Sequence, residues 1–154
     1  MNKTSSSPSA AAALAIAAAL AVAGSGAGAA GGQRVLDRNG RCAITVPADL
    51  QSGSVKSSVS SPDNGVSAVI TSNTSTQTLA ELKPLATQVM KPVKTYEDSA
   101  HRLWYQYEFG AGSDTKWYVA VPGHAGVCLS QVSFKSPAGE AVAKAVALSL
   151  APVE

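Results

Sequence analysis

The chain has 154 residues, of which 45% are hydrophobic and 14% are charged. Aliphatic and aromatic residues recur in patterned runs from Arg34 onward, which excludes an intrinsically disordered protein. Twelve basic residues stand against ten acidic ones, and no stripe of Lys or Arg stands out. The charge therefore argues against nucleic acid as a partner and against a strongly attractive membrane surface.

The beginning of the chain has the layout of a secretory signal peptide. Lys3 supplies a positive start, residues 10–23 are uncharged and apolar, and a Gly- and Ala-rich exit follows. We expect cleavage after Ala29, with Ala23 as the alternative site, so that residues 1–29 are the signal and 30–154 form one periplasmic or secreted domain. An uncleaved anchor is the rival interpretation, but the apolar run is shorter than the ~20 residues that span a bilayer.

The chain contains two cysteines, Cys42 and Cys128. An even number in an exported domain predicts one disulfide bond between them. Two free buried thiols are the alternative. A catalytic thiol is disfavoured because neither residue has a C-x-x-C partner or an adjacent His.

A β-hairpin is predicted at the start of the domain. Residues 33–38 and 41–46 flank Asn39 and Gly40, and both of these accept the positive φ of a type I′ turn. Two further strands are predicted, a weak one over 54–60 and a stronger one over 66–71.

The first helix is predicted to begin after Thr78, because Glu81 three residues later completes a capping box. Its apolar residues fall near helical spacing: Leu79, Leu82, Leu85, Ala86, Val89 and Met90. Pro84 conflicts with this interpretation because proline removes one helical hydrogen bond. We expect the helix to bend or to begin later, and to end by Pro92.

Three aromatic-rich strands follow, over 93–97, 102–109 and 116–121, and short links between them predict a meander. A fourth strand is predicted over 127–134. The last helix begins with Ser136 as its cap, and its predicted buried stripe is Val142, Ala145, Val146, Ser149 and Leu150. This order of elements predicts an α+β fold with a mainly antiparallel sheet flanked by two helices.

Several segments of the chain resemble the PsbP-like superfamily. They are residues 42–49 (CAITVPAD), 78–82 (TLAEL), 102–107 (RLWYQY), 116–120 (KWYVA) and the closing helix over 140–150. The resemblance implies an α/β/α sandwich around an antiparallel sheet. It implies no shared activity, because members of this superfamily differ in role and are largely non-catalytic. No functional residue is carried over.

No motif in the sequence specifies an enzyme. His101 and His124 lie in predicted turns and lack the third ligand that a zinc site needs, so no metal site and no cofactor is expected. There is no nucleophile elbow of the G-x-S-x-G type. A small hydrolase or metal-dependent enzyme with a dispersed site remains the alternative.

Aromatic residues are the remaining candidates for a function. All six Trp and Tyr residues lie on the three aromatic strands, and Trp104 and Tyr118 are the candidate partner-binding residues, because Tyr and Trp are enriched at interfaces. Core packing is the competing interpretation. The sequence therefore predicts a non-enzymatic envelope domain that binds an unidentified protein or ligand, with a purely structural or inhibitory module as a third hypothesis.

Overall fold

The computed structural model describes residues 32–53, 55–63, 65–76, 78–108 and 112–154, and the predicted signal peptide lies outside these ranges. The described residues form ten strands and two helices. In chain order the elements are β1 (Gln33–Leu36), β2 (Cys42–Val46), β3 (Gln51–Ser52), β4 (Ser58–Ser60), β5 (Val66–Asn73), α1 (Leu79–Met90), β6 (Lys94–Asp98), β7 (Leu103–Tyr107), β8 (Thr115–Gly123), β9 (Gly126–Phe134), α2 (Pro137–Leu148) and β10 (Ala151–Pro152).

The strands form two antiparallel sheets. The larger sheet has seven strands in the order β3-β4-β5-β9-β8-β7-β6, and the smaller one has the order β1-β2-β10. The predicted meander is confirmed, since β6, β7, β8 and β9 are neighbours in chain order. The second sheet and its strand β10 were not predicted, because a two-residue strand has no periodicity to detect.

The two helices pack on opposite faces of the larger sheet. Buried residues of α1 pack with Leu103 and Tyr105. Buried residues of α2 and β2 pack in the same core as Trp104. Neighbouring residues of a strand point to opposite faces, so the sheet separates two cores, and the α/β/α arrangement is confirmed.

The predicted hairpin forms, but its turn differs from the expected type. Gln33 pairs with Val46 and Leu36 with Ala43. Gly40 has a φ of +67°, whereas Asn39 has no positive φ, and the Gly40 N–H donates to the Asp37 carbonyl. The two strands are therefore joined by a loop of more than two residues. In this loop a turn without positive φ is followed by Gly40 in the left-handed conformation.

Helix α1 begins where the capping box predicts. The Glu81 N–H donates to the Thr78 hydroxyl, and the Thr78 N–H donates to the Glu81 carboxylate. The helix continues through Pro84. Proline has no N–H, so the carbonyl of Ala80 loses its helical hydrogen bond. Because Ala80 and Pro84 are both exposed, water can bond to that carbonyl. It ends at Met90 as expected, with Lys91 in the left-handed conformation.

The stripe predicted for helix α2 is buried only in part, at Val146 and at Leu150 just after the helix. Ser136 caps the helix as expected, but its buried residues are Gly139, Ala143, Val146 and Ala147, and Ala145 is exposed. A Cβ on Gly139 would lie 3.1 Å from a Val66 methyl group. The small residues let the helix backbone lie close to the sheet. The predicted stripe missed this face because it was chosen mainly from the larger apolar residues.

Cys42 and Cys128 form a disulfide bond, with their Cα atoms 5.5 Å apart. Both residues are only 1% exposed. The bond joins β2 of the small sheet to β9 at the centre of the large sheet, so it fixes the packing of the two sheets against each other.

Candidate binding surface

Trp104 and Tyr118 were predicted to bind a partner, and the structure places both in the core. Trp104 is 6% exposed and Tyr118 is 4% exposed, and they belong to the two opposite cores. Two buried side chains on opposite faces of a sheet cannot form one contact surface. This corrects the expectation, because a sheet covered on both faces takes up large aromatic side chains on each side.

Trp104 belongs to a row of four aromatic rings that crosses the sheet. Its ring centroid lies 5.1 Å from that of Tyr96 and 5.0 Å from that of Trp117, and Trp117 lies 4.6 Å from Phe134. Tyr118 packs under α1 instead. Burial, with a smaller influence from Tyr105, raises the pKa of Tyr118 to about 12. Both residues therefore stabilise the fold.

The two histidines lie in exposed turns. The described residues contain no group of three or more His, Cys, Asp or Glu side chains that could hold a metal ion. Neither of the two described helices is long and apolar enough to cross a bilayer.

A small cavity of about 200 Å³ lies beside the disulfide bond. The first hairpin loop, the β8–β9 turn and the last two residues line it, and its ionisable side chains are Arg41, His124 and Glu154. All three are exposed. They form no ion pair with one another within 4 Å.

The exposed apolar residues of α1 form a second site. Leu85 is 55% exposed and Val89 is 73% exposed, and one helical turn separates them, so they share one flank of the helix. The opposite flank is tied to β6 by an ion pair of 2.7 Å between Lys83 and Asp98.

A groove runs between this flank and the sheet. Its volume is about 210 Å³, and Val89, Met90, Tyr107 and Gln131 line it. Val69, which is 41% exposed, pairs with Gln131 on the neighbouring strand and extends the floor. We call Leu85, Val89, Met90, Val69 and Gln131 the α1 groove. The sequence pattern placed Leu85 and Val89 in the buried stripe of the helix. A narrower stripe centred on Leu82 and Ala86 would have left these two residues on the exposed side.

Comparison with known proteins supports the fold. No protein-family model matches the chain, and no curated protein matches it. Among solved structures it is similar to the solution structure of a cyanobacterial PsbP (CyanoP) from Synechocystis, with 14% identity, a TM-score of 0.53, and coverage of 83% of this chain and 96% of that chain. The chain has a PsbP-like fold. At this identity the PsbP-like likeness concerns the fold alone, so the function is argued from the surface.

Proposed function

We propose that this PsbP-like chain is an exported, non-enzymatic binding domain that acts in the periplasm or outside the cell. The observation that carries the binding role is the exposed flank of α1, where Leu85 and Val89 are left out of the core and Val89 lines a groove. Aliphatic side chains left in water at one rim of a groove are typical of a protein contact surface. The predicted leader and the Cys42–Cys128 bond support the location, since disulfides persist outside the reducing cytoplasm.

Export has a direct test. We expect the full chain, fused at its C-terminus to a phosphatase that is active only outside the cytoplasm, to give enzyme activity, because the leader directs translocation. Mass spectrometry of the untagged protein should show a chain that begins after Ala29. Loss of the reporter signal when residues 10–23 are deleted is the control. Activity confined to the cytoplasm, or an intact Met1, contradicts this part of the proposal.

The binding role is tested on α1. Replacing Leu85→Lys and Val89→Lys together should reduce capture of an envelope partner by at least about tenfold, because an apolar contact would then bury two charges. Quantitative pull-down from envelope extract, with the purified protein as bait, measures the effect. Since both residues are exposed, the free energy of unfolding should change by less than about 0.5 kcal/mol per substitution.

The matched control places the same charges on the other helix. Ala141→Lys and Ala145→Lys have the same spacing on the exposed side of α2, and capture should be unchanged. Equal capture by both variants excludes the α1 groove as the contact. A wild-type protein that captures nothing above background contradicts the binding role.

A further inference from the structure

The first hairpin carries three of the four arginines of the chain, Arg34, Arg38 and Arg41. All three are exposed. None of them has a carboxylate partner within 4 Å in the described part of the protein. The spacing along the chain gives no continuous basic run, so the sequence pattern did not reveal this concentration of charge.

The only acidic residue of the hairpin does not neutralise these arginines. Asp37 is 4% exposed. Its carboxylate accepts hydrogen bonds from the backbone N–H groups of Asn39, Arg41 and Cys42 and from the Ser72 hydroxyl. The acid is thus turned inward while the three arginine residues are exposed, so the exposed charges of the hairpin itself are all positive.

The same hairpin has an open backbone edge. Strand β1 is the outer strand of the small sheet, and among the described strands it pairs with β2 alone. No described residue hydrogen-bonds to its outer side. An edge of this kind can pair with an extended segment of another chain.

The register shows which groups point outward. The Asp37 N–H donates to the Cys42 carbonyl, and bonded and non-bonded pairs alternate in an antiparallel ladder. The pairs Leu36–Ala43 and Arg34–Thr45 are then non-bonded. Two hydrogen bonds of Thr45 support this register. The Thr45 N–H donates to the Ser149 hydroxyl at 2.8 Å, and the Thr45 carbonyl accepts from the same hydroxyl at 3.1 Å, so both groups point away from β1.

Arg34 and Leu36 therefore present two N–H and two carbonyl groups on the free edge. We infer that this edge binds an extended acidic segment of another protein, which adds to the small sheet as an antiparallel or parallel strand. Main-chain hydrogen bonds supply the pairing. The guanidinium groups of Arg34 and Arg38 select carboxylate side chains, which accept bidentate hydrogen bonds from arginine.

Charge decides against a second copy of this chain as the occupant. Pairing two β1 strands would bring two hairpins together, each with three unpaired arginines, and like charges disfavour that contact. An anionic lipid surface would meet the arginines but would leave the backbone edge unpaired. The inference concerns a different surface from the α1 groove and does not depend on it.

The experiment uses the purified, isotopically labelled protein and a synthetic peptide of alternating Glu and Val. We expect the amides of Arg34 and Leu36 to become protected from hydrogen exchange on binding, and the dissociation constant to rise with salt. The control peptide has Lys in place of each Glu and should not bind. Equal binding of both peptides, no binding at millimolar peptide, or binding only to anionic vesicles overturns the inference.

Two variants separate the backbone from the charges. Leu36→Pro removes one outward N–H without removing a β1–β2 bond, and it should abolish binding of the Glu-Val peptide. Arg34→Gln with Arg38→Gln should weaken binding by roughly tenfold. Lys56→Gln with Lys144→Gln, an equal charge change at exposed positions, should leave it unchanged. If Leu36→Pro does not fold, the double variant of Arg34 and Arg38 is the remaining test. Unchanged affinity of that variant for the Glu-Val peptide contradicts the inference.

Discussion

Removing the disulfide bond should have the largest effect on stability of any change considered. We expect the double variant Cys42→Ala/Cys128→Ala to lose about 4 kcal/mol of unfolding free energy, because the bond closes a loop of 86 residues and so restricts the unfolded chain. Domains of this size have a total stability of roughly 5–15 kcal/mol. The variant should therefore fold only marginally at 37 °C.

Denaturant unfolding of the wild type and the double variant, both without reductant, measures this loss. Thiol labelling of unfolded wild-type protein under non-reducing conditions is the companion experiment, and it should find no free cysteine. A loss below about 1 kcal/mol, or two labelled thiols in the wild type, contradicts the prediction. The single variant Cys128→Ala is the matched control, since it breaks the same bond and should lose a similar amount.

Replacing Asp37 should have the second largest effect. Its carboxylate satisfies three backbone N–H groups and the Ser72 hydroxyl. Asp37→Ala leaves these donors without a partner in a partly buried site, which should cost about 2–3 kcal/mol of unfolding free energy. Asp37→Asn keeps one acceptor oxygen of the two and should lose about half as much.

The contribution of Asp37 should depend on pH. Burial alone would raise the pKa of its carboxyl group and is the largest single influence, but the bonds from Cys42, Ser72, Arg41 and Asn39 together hold the pKa below its ordinary value of 3.8. A lowered pKa in the folded state stabilises the protein fully above the unfolded value of 3.8. That stabilisation is lost as the pH falls through the folded pKa.

The measurement is the difference in unfolding free energy between wild type and Asp37→Asn from pH 7 down to pH 2. Other carboxyl groups titrate in both proteins, so their effects cancel in this difference. We expect the difference to be constant near neutral pH and to shrink below pH ~4. A difference that does not change with pH, or an Asp37→Asn variant as stable as the wild type, contradicts the role given to this carboxylate.

Asp37 and the disulfide bond act at the same junction. The Asp37 carboxylate bonds to Ser72 on β5, and Ser72 pairs directly opposite Cys128 on β9. One covalent bond and one hydrogen-bond network thus attach the first hairpin to the large sheet at neighbouring positions. This attachment holds the hairpin while the outer edge of β1 stays open, which is the geometry that strand addition requires.

The local elements could be predicted because their signals are short in range. The Thr78 capping box, the Ser136 cap and the glycine of the first turn act within one turn of backbone, so the residues themselves identify them. The alternation of the aromatic strands gave the faces of β7 correctly, with Trp104 opposite Tyr105. The pairing of Cys42 with Cys128 followed from there being no other cysteine.

The contact surfaces could not be predicted in the same way, because exposure depends on what covers each face. Trp104 and Tyr118 are hidden by different layers, one shared with α2 and the small sheet and the other formed by α1. Leu85 is exposed although its spacing fits the helix stripe, since α1 packs on the sheet through Leu79, Leu82 and Ala86. The outer edge of β1 has no strand beside it among the described residues, since β10 pairs with β2 and not with β1.

The sequence by itself determined the α+β class, the caps of both helices, the meander and the cysteine pair, because neighbouring residues and strict periodicities specify these features. The tertiary structure alone decided which aromatic and aliphatic side chains are buried, where the three hairpin arginines lie relative to Asp37, and which strand edge remains unpaired. The physical reason is that burial, charge environment and edge pairing are set by contacts between segments far apart in the chain, and no local pattern specifies those contacts.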